Sequence, residues 1–276
     1  MHEPFVERSI WRWRRNLPEE VVDRLVVEEP LEIRLAGEPY QVLMRLPGLE
    51  KELALGFLFT EGIIRTLAEV TSVQLVGSGT DPLLPAKAVD VMLTRKAMNR
   101  RSRRHLEVAY SSCGRGIKET VAEIRRQVPP VASGFTLNPE ELLGLMARLP
   151  DAQAVFKATG GTHAVALASP DGSVFLSAED VGRHNAMDKA VGRALLEKRD
   201  FGGLVALLSG RLSFEMALKA ARAGLPVLAG VSAPTSLAVE LAQELNLTLV
   251  GFVRGESLNI YSHPHRLGVG KGSKEE

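Results

Sequence analysis

Cysteine, aromatic residues and net charge are all scarce in this chain. Its 276 residues include one cysteine and 5% aromatic residues, and the net charge is +1 at pH 7. A single cysteine excludes an intramolecular disulfide and a zinc cage built from several cysteines. The small net charge gives no overall case for nucleic-acid binding. We therefore expect neither a disulfide-stabilised protein nor a nucleic-acid partner.

Long uncharged apolar runs are absent as well. No stretch is long enough to span a bilayer, and the pair Arg14-Arg15 is not followed by the apolar segment of an export signal. We expect a soluble, cytoplasmic protein with no membrane partner. Apolar residues at 45% and charged residues at 24% are ordinary for a globular protein with a large core, and the length favours two domains.

The first part of the chain has the patterns of an α+β domain. Alternating apolar residues predict strands at 24–27, 31–35, 40–46, 70–76 and 89–93, and an apolar stripe from Leu53 to Ile64 predicts a helix. We interpret residues 1–104 as this smaller N-terminal domain. It ends in a basic run that is either a solvated linker or an anion-binding or docking patch for an acidic partner. The run contains Arg95, Lys96, Arg100, Arg101, Arg103 and Arg104.

Residues 105–276 have the patterns of an α/β domain. Strands are predicted at 154–158, 163–168, 174–177, 204–208, 227–231 and 247–253, and helices at 185–198, 214–221 and 235–245. Short apolar strands that alternate with helices indicate a parallel or mixed sheet covered on both faces. The tail from His263 onward is expected to be loose.

The one cysteine, Cys113, lies in a glycine-rich segment between a strand-like run at 106–110 and a helical apolar pattern from Ile117 to Val128. The pattern predicts that Cys113 lies near a helix N-terminus with Arg115 beside it. Unpaired N–H groups and a positive charge in such a position stabilise a thiolate. A buried thiol that packs as a small apolar group is the alternative. The neighbouring serines, glycines and arginine favour the reactive thiol.

Loops after the strands of the second domain are rich in glycine, hydroxyl and charged residues. In open α/β sheets ligands bind outside the carboxyl ends of the strands, where backbone N–H groups hold anions. Helix capping explains any one of these loops, but together they indicate a shared binding face. They are Thr159-Gly160-Gly161-Thr162-His163, Glu179-Asp180-Val181-Gly182-Arg183-His184-Asn185, Ser209-Gly210-Arg211-Leu212-Ser213 and Ser232-Ala233-Pro234-Thr235-Ser236.

The histidines and the cysteine do not form a zinc deaminase site. Such a site needs a His-x-Glu element and a Pro-Cys-x-x-Cys element. Here His163 is followed by Ala164 and Val165, and Cys113 has no companion. We therefore expect no zinc. His163, at the start of a strand, is expected to be a hydrogen-bonded core residue, whereas His184 is the better candidate for a site.

Five ordered motifs together resemble the FdhD family of formate dehydrogenase accessory proteins. They are Ser111-Ser112-Cys113-Gly114, the loops that begin at Thr159, Glu179 and Ser209, and Val231-Ser232-Ala233-Pro234-Thr235-Ser236. The resemblance implies a sulfur carrier that takes sulfur from a cysteine desulfurase as a persulfide on Cys113. The sulfur then passes to the molybdenum cofactor, bis-molybdopterin guanine dinucleotide, before its insertion into formate dehydrogenase. The resemblance also implies a homodimer and, for the second domain, a cytidine deaminase-like three-layer fold without zinc.

The resemblance further implies a segment that binds the guanine dinucleotide part of the cofactor. It consists of Phe252, Val253, Arg254, Gly255, Glu256 and Ser257. Arg254 can bind phosphate with two hydrogen bonds, although a surface ion pair is its alternative role.

The chain departs from many family members at Gly116, where they have the second cysteine of Cys-x-x-Cys. A two-cysteine relay is therefore absent, but one persulfide is sufficient for carriage. Two other functions stay open. One is a non-catalytic chaperone of the cofactor or of formate dehydrogenase in which Cys113 is structural, and the other is a diverged deaminase-like hydrolase.

Overall fold

The computed structural model describes residues 3–77, 87–100, 127–132 and 134–270. Cys113, Arg115 and Gly116 lie outside these residues, as do Arg101, Arg103 and Arg104 at the end of the basic run. The expectations for these positions therefore stay predictions.

The described chain begins with a long antiparallel hairpin. Strand β1 (Phe5–Arg14) pairs along its whole length with β2 (Leu17–Val26). Arg15 and Asn16 connect them with φ values of 52° and 63°, which is the two-residue turn whose twist matches that of the strands. Sequence patterns indicated a strand only at 24–27. Most of the hairpin has no buried face, so no apolar alternation marks it.

A four-stranded sheet follows, with one helix packed on its inner face. The strands are β3 (Glu29–Leu35), β4 (Glu38–Arg45), β5 (Val70–Gly77) and β6 (Lys87–Leu93), in the order β4-β3-β6-β5. β3 and β6 are parallel, and the other pairs are antiparallel. Leu31, Ile33 and Leu35 point inward and belong to the same core as helix α1 (Glu50–Thr60). These elements confirm the α+β character of the N-terminal region.

The described residues beyond β6 include a six-stranded mixed sheet. Its strands are β7 (His163–Ala168), β8 (Phe175–Asp180), β9 (Val205–Leu208), β10 (Val227–Gly230), β11 (Thr248–Arg254) and β12 (Ser257–Ser262). They lie in the order β12-β11-β10-β9-β7-β8. β9, β10 and β11 are parallel, and β7, β8 and β12 each join antiparallel.

Helices cover both faces of this sheet. They are α2 (Pro139–Ala147), α4 (Arg183–Leu196), α5 (Phe214–Ala223) and α6 (Ser236–Glu244), whereas the short helix α3 (Ala154–Thr159) lies before β7 and contacts the hairpin strand β2. Side chains of α4, α5 and α6 fill the apolar core on one face, and α2 contributes to the core on the other. The predicted mixed sheet between helical layers is confirmed, and it is compatible with the cytidine deaminase-like description.

The strand predicted at residues 154–158 is wrong, because these residues form helix α3. The carboxylate of Glu179 accepts hydrogen bonds from the backbone N–H groups of Val155 and Phe156, each at 2.9 Å. These amides in the first helical turn have no partner within the helix. The carboxylate that satisfies them comes from the end of β8, so a local pattern could not indicate it.

Two segments are more ordered than their composition indicated. Residues 95–100 of the basic run are helical, with Ala97 buried and Arg100 bonded to the carbonyl of Ile63 at 3.0 Å and to Glu69. The supposedly loose tail contains a short 3₁₀ helix, Pro264–Leu267. There Arg266 is buried and donates to Thr248 Oγ1 at 3.1 Å.

The N-terminal and C-terminal regions meet where α1 crosses α4. A Cβ on Gly56 would lie 1.8 Å from the carbonyl oxygen of Asp188, and a Cβ on Gly192 would lie 1.8 Å from that of Glu52. Glycine is therefore required at both positions for the two backbones to approach this closely. The predicted domain boundary between residues 104 and 105 lies outside the described residues and stays a prediction.

A buried polar network lies beside this crossing. Thr60 Oγ1 donates to Asp188 at 2.7 Å, and Lys219 Nζ donates to both oxygens of Asp188 at 2.9 Å and to Thr60 at 2.9 Å. Burial raises the pKa of Asp188, although Lys219 and Thr60 oppose the shift. The network joins α1, α4 and α5, so it fixes the N-terminal region to two of the helices that cover the six-stranded sheet.

Candidate ligand-binding edge of the sheet

Five loops meet at one edge of the six-stranded sheet. The parallel strands β9, β10 and β11 end there, β8 also ends there, and the antiparallel β7 begins there. Together with the adjoining ends of strands and helices, these loops are residues 159–163, 181–185, 209–213, 231–235 and 252–256. The topology thus brings together the loops predicted to share a binding face and the segment predicted to bind the cofactor.

Backbone hydrogen bonds hold neighbouring loops in place along this edge. The N–H of Leu212 donates to the carbonyl of Ala233 at 3.1 Å, and the N–H of Phe252 donates to the carbonyl of Ser232 at 3.2 Å. The loops after β9, β10 and β11 therefore form one continuous surface.

Two arginines and a histidine lie together where the loops after β8 and β9 meet. A Cβ on Gly210 would lie 3.4 Å from Nδ1 of His163 and 3.9 Å from Cδ of Arg183. Burial lowers the pKa of His163, and the positive charges of Arg183 and Arg211 lower it further. Neither arginine makes an ion pair with a described residue, although Glu215 lies within electrostatic range of Arg183. The edge is therefore positively charged beside His163.

Two nitrogen atoms at the start of α4 are buried without a described partner. They are Nε of Arg183 and Nε2 of His184. A buried polar atom without a hydrogen bond costs about 1–3 kcal/mol. Burial lowers the pKa of His184, and the charges of Arg183 and Lys219 lower it further. An acceptor atom of a ligand could supply the hydrogen bond that Nε of Arg183 lacks.

A cavity of about 380 Å³ opens beside His163. Met146, Leu149 and Phe156 form an apolar side, and Thr162 and His163 form a polar side. The volume is within the range of small-molecule sites, and the combination suits a ring with a polar rim. His163 is not the hydrogen-bonded core residue expected from the sequence, because it is half-buried and lines this cavity, and its side chain makes no hydrogen bond with a described residue.

The segment assigned to the cofactor forms the end of β11 and the turn into β12. Nε of Arg254 donates to the carbonyl of Val231 at 2.7 Å, which ties the segment to the loop after β10. Among the residues that the structure describes, Arg254 has no ion-pair partner and its terminal nitrogens make no hydrogen bond. Phe252 is 39% exposed, and Gly255 makes the turn with a φ of 54°. Arg254 therefore has free donors at the same edge as Arg183 and Arg211.

Asp180 at the end of β8 and Asn185 in the first turn of α4 hold this edge of the sheet to the N-terminal region. Asp180 is fully buried, lies 2.7 Å from Nζ of Lys189 and accepts the backbone N–H of Leu46 at 3.2 Å. Asn185 donates to the carbonyl of Met44 at 2.7 Å. These residues fix the loop to the end of β4. Both residues belong to a segment predicted from the sequence to bind a ligand, but their side chains stabilise the fold.

Within the described ranges, no group of three or more histidine, cysteine, aspartate or glutamate side chains is arranged to hold a metal ion. The expected lack of zinc stays a prediction. In the same ranges no helix has the length and apolar character to cross a membrane.

The mixed sheet with helices on both faces defines an α/β protein, and its converging loops place a cationic edge beside a cavity. The model of the FdhD/NarQ family matches residues 26–268. The chain therefore belongs to the FdhD/NarQ family.

Similar proteins cover most of the chain. A protein of Nocardia farcinica named "Sulfur carrier protein FdhD" is 46% identical over 250 residues, which span 89% of this chain and 88% of the relative. A protein of Saccharolobus solfataricus with the same name is 39% identical over 249 residues, which span 89% of this chain and 91% of the relative. A crystal structure from Desulfotalea psychrophila, described as a formate dehydrogenase accessory protein, matches with a TM-score of 0.75. Its identity is 24%, and the match covers 96% of this chain and all of that one. At this identity the likeness supports the fold.

Proposed function

We propose that this chain is a sulfur carrier that acts in the maturation of formate dehydrogenase. The observation that carries the proposal is the pair of relatives named as sulfur carriers, each of which spans 89% of the chain. Cys113, the one thiol of the chain, is the residue that carries the sulfur. A cysteine desulfurase supplies the sulfur, and the molybdenum cofactor receives it.

The proposed chemistry needs one nucleophilic sulfur. The thiolate of Cys113 attacks the outer sulfur of the desulfurase persulfide, the desulfurase thiolate leaves, and Cys113 becomes a persulfide. Delivery of the outer sulfur as sulfide breaks the sulfur–sulfur bond and takes two electrons. A thiol reductant supplies them and becomes a disulfide. Neither step requires a cysteine at Gly116.

We assign the guanine dinucleotide part of the cofactor to the sheet edge. Arg254 has free guanidinium donors, and a guanidinium binds phosphate oxygens with two parallel hydrogen bonds. Arg183 and Arg211 lie on the same edge without an ion-pair partner among the described residues, so they supply further positive charge for the phosphates. The cavity beside His163 has the mixed apolar and polar lining that a planar ring requires.

The sulfur-carrying role is tested by intact-mass analysis after incubation with a cysteine desulfurase and free cysteine. We expect the wild-type chain to gain the mass of one sulfur atom and the Cys113→Ala variant to gain none. The variant should also fail to support formate dehydrogenase activity. Unmodified wild-type protein, under conditions that load a control acceptor, would contradict the carrier role. Full activity with Cys113→Ala would favour the chaperone instead.

The cofactor segment is tested by calorimetry with guanosine diphosphate. Arg254→Ala should weaken binding by about 1.5–3 kcal/mol, the value for a hydrogen bond to a charged group, and should leave sulfur loading of Cys113 unchanged. Arg199→Ala is the matched control, because this exposed arginine pairs with Glu197 in a loop before β9. Equal affinity of Arg254→Ala and the parent would remove Arg254 from the site.

A further inference from the structure

The N-terminal hairpin exposes the two tryptophans of the chain. Trp11 is 72% exposed and Trp13 is 68% exposed, and both are on β1. Val22, on the same face of the neighbouring strand, is 66% exposed. Tryptophan is highly buried in most proteins and is enriched at the centres of protein interfaces. Two exposed tryptophans on one face therefore point to a contact with another molecule.

The hairpin is preorganised for such a contact. Its base is fixed, since a Cβ on Gly161 would lie 2.7 Å from Cγ1 of Val26 and the N–H of Val27 donates to the carbonyl of Pro4 at 3.0 Å. Its turn is of the tight two-residue kind. Within the described part of the chain, neither β1 nor β2 pairs with a third strand. Each outer edge therefore presents backbone donors and acceptors that an added strand can use.

The charges of the two strands distinguish the two edges. β1 has Arg8, Arg12 and Arg14 against Glu7 alone, and β2 has Glu19, Glu20 and Asp23 against Arg24 alone. The β1 edge is thus positive and the β2 edge is negative. An acidic segment would be attracted to β1 and repelled by β2.

Side chains also divide by face along β1. Successive residues of a strand point to opposite faces, so Trp11 and Trp13 lie on one face while Arg8, Arg12 and Arg14 lie on the other. We propose that β1 binds an extended segment of another protein in which acidic and apolar residues alternate. The segment adds to β1 as a third strand, with its acidic side chains beside the arginines and its apolar side chains beside the tryptophans.

Two other occupants fit the hairpin less well. An anionic lipid surface would meet the carboxylates of Glu19, Glu20 and Asp23 and could not pair with the backbone of an open strand edge. A second copy of this chain joined through β1 would bring two rows of arginines onto one face of the sheet, and like charges on neighbouring strands are destabilising.

The test uses a short labelled peptide of alternating glutamate and leucine, and a second peptide with lysine in place of glutamate. Fluorescence anisotropy of the label measures binding to the full chain. We expect the acidic peptide to bind and the basic peptide not to bind. Arg12→Glu should weaken binding at least about tenfold, which corresponds to ~1.4 kcal/mol. Equal binding of the two peptides, or no binding of the acidic one, would overturn the proposal.

Matched variants separate the β1 edge from a general effect of charge or surface. Arg12 and Arg24 each face one acid, with Arg12 3.7 Å from Asp23 and Arg24 3.3 Å from Glu7. Arg24→Glu makes the same charge change on β2 and should alter affinity by less than about twofold. Trp13→Ser should weaken binding more than Val22→Ser. An equal loss in Arg12→Glu and Arg24→Glu would refute docking at β1.

Two further measurements address the other occupants. Sedimentation of the full chain with and without Arg12→Glu reports self-association through the hairpin, and flotation with anionic phosphatidylserine vesicles reports lipid binding. We expect no change of sedimentation and no co-flotation. If Arg12→Glu abolished a dimer, the occupant of β1 would be a second copy of the chain and not an acidic segment. If flotation with the vesicles required the hairpin, the occupant would be a lipid surface.

Discussion

Gly192→Ala tests the helix crossing that joins the N-terminal region to the six-stranded sheet. The added methyl group would lie 1.8 Å from the carbonyl oxygen of Glu52, and its next neighbours are also backbone atoms of that residue. A backbone atom cannot rotate away as a side chain can. The separation must grow to the ordinary contact distance of about 3.4 Å, so α1 and α4 must move apart.

The expected cost follows from two opposing effects. Overpacking of a close-packed interior costs about 1–3 kcal/mol, and this contact with backbone belongs at the upper end of that range. Alanine is favoured over glycine within a helix by about 0.5–1 kcal/mol. We expect Gly192→Ala to lower the free energy of unfolding by about 2 kcal/mol. Gly56→Ala should lower the free energy of unfolding by a similar amount. The double variant should lose less stability than the sum of the two single variants, because one separation of the helices accommodates both methyl groups.

Urea unfolding followed by far-ultraviolet circular dichroism measures this change. Gly144→Ala is the matched control, because Gly144 lies within α2 and a Cβ there would meet nothing within 4 Å. It should stabilise the protein by about 0.5–1 kcal/mol. Gly192→Ala with stability equal to or above the parent would show that the helices do not cross as closely as described.

Four other outcomes are expected. Lys219→Met leaves Asp188 buried without its cation and should cost about 3–5 kcal/mol of unfolding free energy, measured by urea denaturation, whereas an unchanged midpoint would contradict the network. Arg211→Ala removes a positive charge near His163 and should raise the pKa of His163 in a proton NMR titration. An unchanged pKa would show that Arg211 does not act on His163. Because the pKa of folded His163 lies below its unfolded value, stability should fall as the pH drops below about 6.5, and this loss should be smaller in Arg211→Ala. Purified protein should contain no stoichiometric zinc by elemental analysis, and one tightly held zinc per chain would contradict this.

Sequence patterns predicted the strands that have a buried face. β3, with its inward leucines and isoleucine, and the fully apolar β9 and β10 were identified because burial imposes a pattern on the residues. The hairpin β1–β2 was missed because it is mostly exposed and has no such pattern. Helix α2 was also missed, although Asn138 and Glu141 form a capping box at its start that the sequence shows directly.

The candidate site was predicted in its parts but not in its arrangement. Glycine-rich loops after the strands indicated a binding face at one edge of the six-stranded sheet, because such loops let backbone N–H groups contact an anion. The proximity of Arg183 and Arg211 to His163 depends on β7 running antiparallel to β9, which no local pattern indicates. The support of Asp180 and Asn185 depends on contacts with Leu46 and Met44, more than 130 positions away along the chain.

The exposure of both tryptophans has a consequence for optical experiments. An indole that is already surrounded by water emits nearly as it does in an unfolded chain, so loss of the core would hardly change the intrinsic emission of this protein. Tryptophan emission that does not change with denaturant concentration would therefore show neither that the protein stays folded nor that it was unfolded from the start. The same property makes the hairpin a local optical reporter. A blue shift of the tryptophan emission on adding another molecule would come from Trp11 or Trp13, near the turn of the hairpin.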